Sequence, residues 1–189
     1  MRETFRKIYA VAVVGCLLSL WGVAHAQDAK LTNIIVTNSR DTLLLYLTVK
    51  DAFPAKIENT VESGVPATFS FLITLHQVRN FWLDKKIADI KLNHCLKYDT
   101  LKKEYIVHRS WEDNKSWTVK TLAEAAKLMT EIDNLAIVPL RTLEKGVQYQ
   151  VRAKAELSKL TLPFYLHYVL FFVSLWDFET DWYTIDFIY

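Results

Sequence analysis

Glycine and proline are scarce in this chain, with four of each among 189 residues. That scarcity excludes collagen-like, Gly/Ser-linker and low-complexity architectures. It also leaves little material for phosphate-cradling glycine loops, dinucleotide fingerprints or serine nucleophile elbows, and none of these patterns occurs. Cysteine appears twice, as Cys16 and Cys95, which excludes a disulfide scaffold and a four-thiolate zinc site. A dominant charge is missing as well, since 23 basic residues face 21 acidic ones for a formal net charge of +2. Apolar residues, by contrast, are plentiful. They make up 51% of the chain, slightly above the usual share of about 45–50%, as a compact folded domain requires.

The N-terminus reads as an address. Arg2, Arg6 and Lys7 precede an apolar run from Ile8 to Ala24, and Ala24-His25-Ala26 supplies a small-x-small site. That order of basic, apolar and small residues is that of a secretory signal peptide cleaved after Ala26. Residues 1–26 would be removed, leaving residues 27–189 as a single domain of 189 − 26 = 163 residues. Arg2, Arg6, Lys7 and Glu3 leave with the peptide, so the mature chain has 23 − 3 = 20 basic and 21 − 1 = 20 acidic residues. A neutral chain argues against a nucleic-acid partner, because binding there must neutralise phosphates. Two rival readings are a lipoprotein, with Val13-Val14-Gly15-Cys16 as a lipobox, and an uncleaved anchor. The apolar run continues past Cys16 through Leu17, Leu18, Leu20 and Val23, whereas a lipobox cysteine closes its run. About 17 apolar residues is the lower edge of a spanning helix. Every version places the folded part outside the cytoplasm, in the periplasm or otherwise exported, with Cys95 as a lone mature thiol.

Period-two alternation dominates the first two thirds of the mature chain. Leu43, Leu45, Leu47 and Val49 share one face of Thr42–Lys50, and Phe69, Phe71, Ile73 and Leu75 share one face of Thr68–Arg79. Such runs predict strands. Lys86–Tyr98 and Lys103–Arg109 continue the pattern around a turn at Asp99-Thr100-Leu101-Lys102, where an Asp side chain can bond backbone two residues on. The matched register sets Tyr98 against Tyr105 and Leu96 against Val107. Further strands are expected at Leu135–Arg141, Val147–Leu157 and Trp182–Phe187. Helices are expected at Pro54–Ser63, closed by Gly64, at Thr121–Asp133, opened by a Thr121/Glu124 capping box, and at the apolar segment Leu160–Trp176. The fold class is therefore mainly β: a single-domain antiparallel β-sandwich with two or three short α-helices.

Chemistry is harder to find. No two of the mature histidines, His76, His94, His108 and His167, stand four residues apart, so no helix face offers a paired zinc grip. The hairpin register places Cys95 opposite His108, as a thiolate–imidazole pair would need. No third orienting residue accompanies them, and two mid-sized side chains facing each other in a sheet is the preferred reading. Asp177-Phe178-Glu179-Thr180-Asp181 alternates like the start of a calcium loop, but Trp182 stands where that loop needs Gly and Ile188 where it needs Glu. No catalytic, cofactor-binding or metal-binding residue is assigned. The C-terminal part is rich in aromatic rings, and Tyr165, Tyr168, Phe171 and Phe172 are the candidate interaction surface. Leu160–Trp176 is short for a spanning helix and holds Pro163 and His167, so it packs as core or meets a partner or a membrane surface.

Several stretches together carry a family likeness: Ser63-Gly64-Val65-Pro66-Ala67-Thr68-Phe69, Arg79-Asn80-Phe81-Trp82, Leu96-Lys97-Tyr98-Asp99-Thr100-Leu101 and Tyr105-Ile106-Val107-His108-Arg109. Gly146-Val147-Gln148-Tyr149, Leu162-Pro163 and Trp176…Asp181-Trp182-Tyr183 extend it. With them the chain resembles the bacterial exported proteins called domain of unknown function 4390. The resemblance implies an envelope location, no assigned activity, and an accessory role beside membrane sensor kinases. His76 departs from the basic residue that the resemblance leads one to expect there. The motif residues have scaffold readings of their own. Gly64 ends a helix, Pro66 keeps the chain extended, Phe81 and Trp82 fill a sheet corner, and Asp99 and Thr100 set a hairpin. The expected function is that of an exported, non-enzymatic protein that binds an envelope partner. A lipid- or apolar-ligand-binding protein is the alternative, and a Cys95/His108 hydrolase a remote one.

Overall fold

The computed structural model describes residues 29–112, 115–158 and 179–189. Residues 1–28, with the expected signal peptide and Cys16, lie outside the described residues. So does most of the aromatic C-terminal segment, including Tyr165, Tyr168, Phe171, Phe172 and Trp176. Nine strands and two helices are described, in the order β1 (Lys30–Asn38), β2 (Thr42–Lys50), α1 (Ala55–Glu62), β3 (Ala67–Gln77), β4 (Lys85–Asp99), β5 (Glu104–Arg109), β6 (Ser116–Val119), α2 (Leu122–Thr130), β7 (Glu131–Pro139), β8 (Gln148–Ser158) and β9 (Tyr183–Ile188). They form a three-stranded antiparallel sheet β1-β2-β7 and a six-stranded antiparallel sheet β6-β5-β4-β3-β8-β9. The fold is the β-sandwich that the alternation predicts.

The alternating faces meet as expected. Leu43, Leu45, Leu47 and Val49 of β2 and Phe69, Phe71, Ile73 and Leu75 of β3 are all buried. Val151, Ala153, Ala155 and Leu157 of β8 join them in one core cluster. Ala155 and Ala153 of β8 stand beside Phe71 and Ile73 of β3 in the same sheet, and alternation of small with large residues lets side chains of the facing layer interdigitate. The β4–β5 hairpin has the predicted register, with Tyr98 opposite Tyr105, Leu96 opposite Val107 and Cys95 opposite His108. Its turn runs one residue further than the sequence suggests. Lys103 takes a left-handed φ of 55° and donates its N–H to Asp99 O at 2.7 Å, so the strand starts at Glu104.

Helix α1 begins after Pro54, buries Ile57 and Val61 one turn apart, and stops as its composition demands. Gly64 adopts φ +92°. The Gly64 and Val65 N–H groups donate back to Val61 O and Thr60 O at 2.9 and 3.3 Å, the paired closure typical of a glycine-terminated helix. Helix α2 opens on Thr121, whose hydroxyl accepts the Glu124 N–H at 3.3 Å.

Two boundaries correct the sequence reading. Helix α2 ends at Thr130 rather than Asp133, and the next strand starts at once, so Ile132 is a buried strand residue. Strands β1 and β6, for which the sequence raised no expectation, complete the two sheets. Both β1 and β7 carry an irregularity marked by a left-handed asparagine, Asn33 at φ 51° and Asn134 at φ 62°. Among the described residues no helix is long and apolar enough to cross a membrane.

Candidate functional site

Among the described residues a dense polar cluster lies where β4, β5 and the end of α2 meet. His94 is wholly buried beside Phe71, ring centroids 4.8 Å apart. Its Nδ1 sits 3.0 Å from Met129 O, and its Nε2 accepts the Trp111 indole N–H at 3.0 Å. A carbonyl only accepts and an indole N–H only donates, so these partners fix a neutral ring protonated at Nδ1. Burial lowers its pKa to about 4, against the opposing pull of the Met129 carbonyl.

Arg109, also buried, donates from Nε to Leu128 O, from one terminal nitrogen to Glu131 O and from the other to Glu112 Oε1, each at 2.9 Å. Glu112 Oε2 takes the Trp117 N–H at 2.9 Å. The guanidinium therefore satisfies carbonyls left open at the helix C-terminus, where a cation is favoured. This cluster is closed on itself and ties α2 to the large sheet. Its hydrogen-bonding groups are engaged with one another and with the backbone.

Cys95 and His108 do stand opposite one another on the outward face, yet no hydrogen bond joins them. His108 Nδ1 instead meets Ser116 Oγ at 3.4 Å. Among the described residues no group of three or more His, Cys, Asp or Glu side chains could hold a metal ion.

Most of the remaining motif residues do scaffold work. Asp99 Oδ1 accepts the Leu101 and Lys102 N–H groups, each at 3.0 Å. These bonds, that to Lys102 foremost, hold its carboxyl below the ordinary range. Tyr98 and Tyr105 lie with ring centroids 4.7 Å apart. Burial and a 2.9 Å hydrogen bond to Glu62 push the Tyr105 phenol up to about 12. Gly64 approaches Thr100 across the α1–hairpin contact. Pro66, Arg79 and Thr100 are exposed.

One expectation fails. Phe81 and Trp82 fill no corner. They stand out from the loop joining β3 and β4, 98% and 74% exposed, and Leu83 beside them is 84% exposed. The loop is too short to fold back: the last β3 pair, Gln77 with Lys85, leaves seven residues to make the reversal. The Arg79 N–H reaches Asp84 Oδ1 at 3.4 Å across the loop base. Three adjacent large apolar side chains in solvent at one hairpin tip are the largest such group among the described residues, and the sequence reading overlooked Leu83. The signal was present, since an apolar triplet between Arg79-Asn80 and Asp84 breaks the rule that turns are polar. Arg79, Asp84 and Lys85 flank it in the chain with both signs of charge.

Two facing antiparallel sheets define a β-sandwich domain, and the β3–β4 hairpin tip is its most conspicuous apolar surface among the described residues. The family model described as Domain of unknown function (DUF4390) matches residues 26–186, and the chain belongs to that family. Comparison with curated proteins and with solved structures gives no match.

Proposed function

We propose that this is an exported, non-enzymatic domain that binds a protein partner in the cell envelope through the β3–β4 hairpin tip. The observation that carries the reading is the exposure of Phe81, Trp82 and Leu83 together at one hairpin tip. Aromatic anchors of this kind supply most of the binding energy in protein interfaces, where they enter a pocket and a polar rim excludes water. The residues flanking the tip are mixed in charge, with Asp84 between Arg79 and Lys85. That mixture suits a protein surface better than an anionic bilayer, which favours uncompensated cations. The order of basic, apolar and small residues across positions 2–26 supports export. A membrane sensor kinase, implied by the family resemblance, is the partner class to test first.

The test places a photoreactive residue at Leu83 in the full chain and irradiates intact envelopes. One discrete adduct, lost when the label sits at Lys127 on α2 instead, is the expected result. Adducts to lipid alone, together with flotation of the mature protein on neutral vesicles, would replace this reading with the lipid-binding one.

A further inference from the structure

The face of the six-stranded sheet that points away from the core carries a polar groove that the hairpin-tip reading does not use. The strand register builds it. Asp89, Thr74, Arg152 and Thr184 stand side by side on β4, β3, β8 and β9, and the adjacent row on the same face is Lys86, His76, Gln150 and Asp186. With Trp182 at its rim the groove encloses about 580 Å³.

Three features set it apart from an ordinary solvated face. His76 Nδ1 is shut off from solvent and meets no hydrogen-bond partner among the described residues, an arrangement that is costly until a ligand supplies one. Arg152 is steadied but not used up. Its Nε donates to Gln150 Oε1, and one terminal nitrogen reaches Asp84 Oδ2 only at 3.4 Å, with side chains 40% and 33% exposed. An exposed pair at that distance contributes little and exchanges readily. The other nearby carboxylates are occupied, Asp89 by Lys86 Nζ at 2.6 Å and Asp186 by Gln150 Nε2 at 2.9 Å.

We propose that this groove is a binding site for an oxyanion group, a carboxylate or a phosphate, carried by a small molecule or by a lipid headgroup. Arg152 exchanges Asp84 for the anion and grips it with its planar fork. His76 lines the groove beside the guanidinium, and the hydroxyls of Thr74 and Thr184 lie in the same row as it. The ring of Trp182, half-exposed at the rim, covers the apolar remainder of the ligand.

Proton affinity at His76 follows from the same geometry. Burial and then Arg152 hold its pKa below the ordinary value, Lys86 adds to this, and Asp84 and Asp89 oppose it. Asp186 faces it from β9. A bound anion opposes Arg152 and Lys86, so occupancy raises the His76 pKa.

The test titrates the full mature chain in three arms, with inorganic phosphate, with benzoate, and with phosphatidylglycerol vesicles. The readouts are the His76 ring and Arg152 Nε resonances. A saturable shift at both groups and an upward move of the His76 titration are expected. Arg152→Lys, which keeps the charge and loses the fork, should weaken binding about tenfold, and Arg152→Gln by more. Lys127→Gln on α2 should leave it unchanged. Response to phosphate or benzoate assigns the oxyanion to a soluble ligand, and response to vesicles alone assigns it to a headgroup. No saturable response in any arm would overturn the proposal, and so would a response that both Arg152 variants leave intact. Neither result bears on the hairpin tip, whose test is separate.

Discussion

The buried His94 makes a quantitative prediction about acid stability. In the unfolded chain its imidazole titrates near the ordinary value of 6.5, whereas in the fold it does so at about 4. Each unit is worth about 1.4 kcal/mol, so the gap of about 2.5 corresponds to about 3 kcal/mol. The sign follows from which state binds the proton. Because the folded-state value is depressed, the unfolded chain takes up protons first. The stability contributed by neutral His94 is complete above about pH 6.5 and is lost as the pH falls toward about 4. Protonation would also put a donor at Nε2 against the Trp111 N–H, which cannot accept it. Urea unfolding at about pH 7.5 and about pH 4.5 should show a loss of about 2–3 kcal/mol in excess of that in His94→Gln, which cannot titrate there. Direct NMR titration of His94 supplies the value even if that variant folds poorly. Equal pH dependence in the two proteins, or an imidazole titrating above 6 in the fold, would refute the reasoning.

Other substitutions test the scaffold. Arg109→Met leaves Glu112 and two helix-end carbonyls without their donor and should cost about 3–5 kcal/mol in chemical denaturation. Gly64→Ala meets only Thr100 Cγ2, at an ordinary 3.8 Å, so its cost comes from the positive φ alone and should be about 1–2 kcal/mol by thermal unfolding. Cys95→Ser should leave cellular phenotype and fold intact, and a lost phenotype in a folded variant would revive the thiol–imidazole reading.

The sequence was most informative where strands are regular. In β2 and in β3 as far as Leu75 every second residue is apolar and every one of those is buried, so period, face and partner sheet could all be read. The β4–β5 register followed from matched pairs around an Asp-led turn. Legibility broke at the irregular strands. In β1 the buried or half-buried apolar positions run Leu31, Ile34, Val36, because the irregularity at Asn33 shifts the alternation by one. In β7 the buried ones run Ile132, Leu135, Ile137 for the same reason at Asn134. A spacing of three is also the helical spacing, so Met129 and Ile132 look like successive turns of one helix when the second already belongs to a strand.

The site was less legible than the fold. Cys95 and His108 could be placed opposite each other from sequence, but their lack of a shared hydrogen bond could not. Arg109 and His94 sit in unremarkable strand positions, and only the tertiary approach of α2 gives them their carbonyl partners. Phe81 and Trp82 were identified and assigned the opposite exposure, since ring size predicts burial when the length of the turn beneath is unknown.

The central claim is that recognition resides in the hairpin tip. It is tested most directly by measuring the affinity of the partner captured through Leu83 for the mature protein and for the triple variant Phe81→Ser, Trp82→Ser, Leu83→Ser. Removing three exposed anchors should leave the unfolding midpoint unchanged and weaken binding by about 100-fold or more. A triple variant that folds and binds with unaltered affinity would contradict the account.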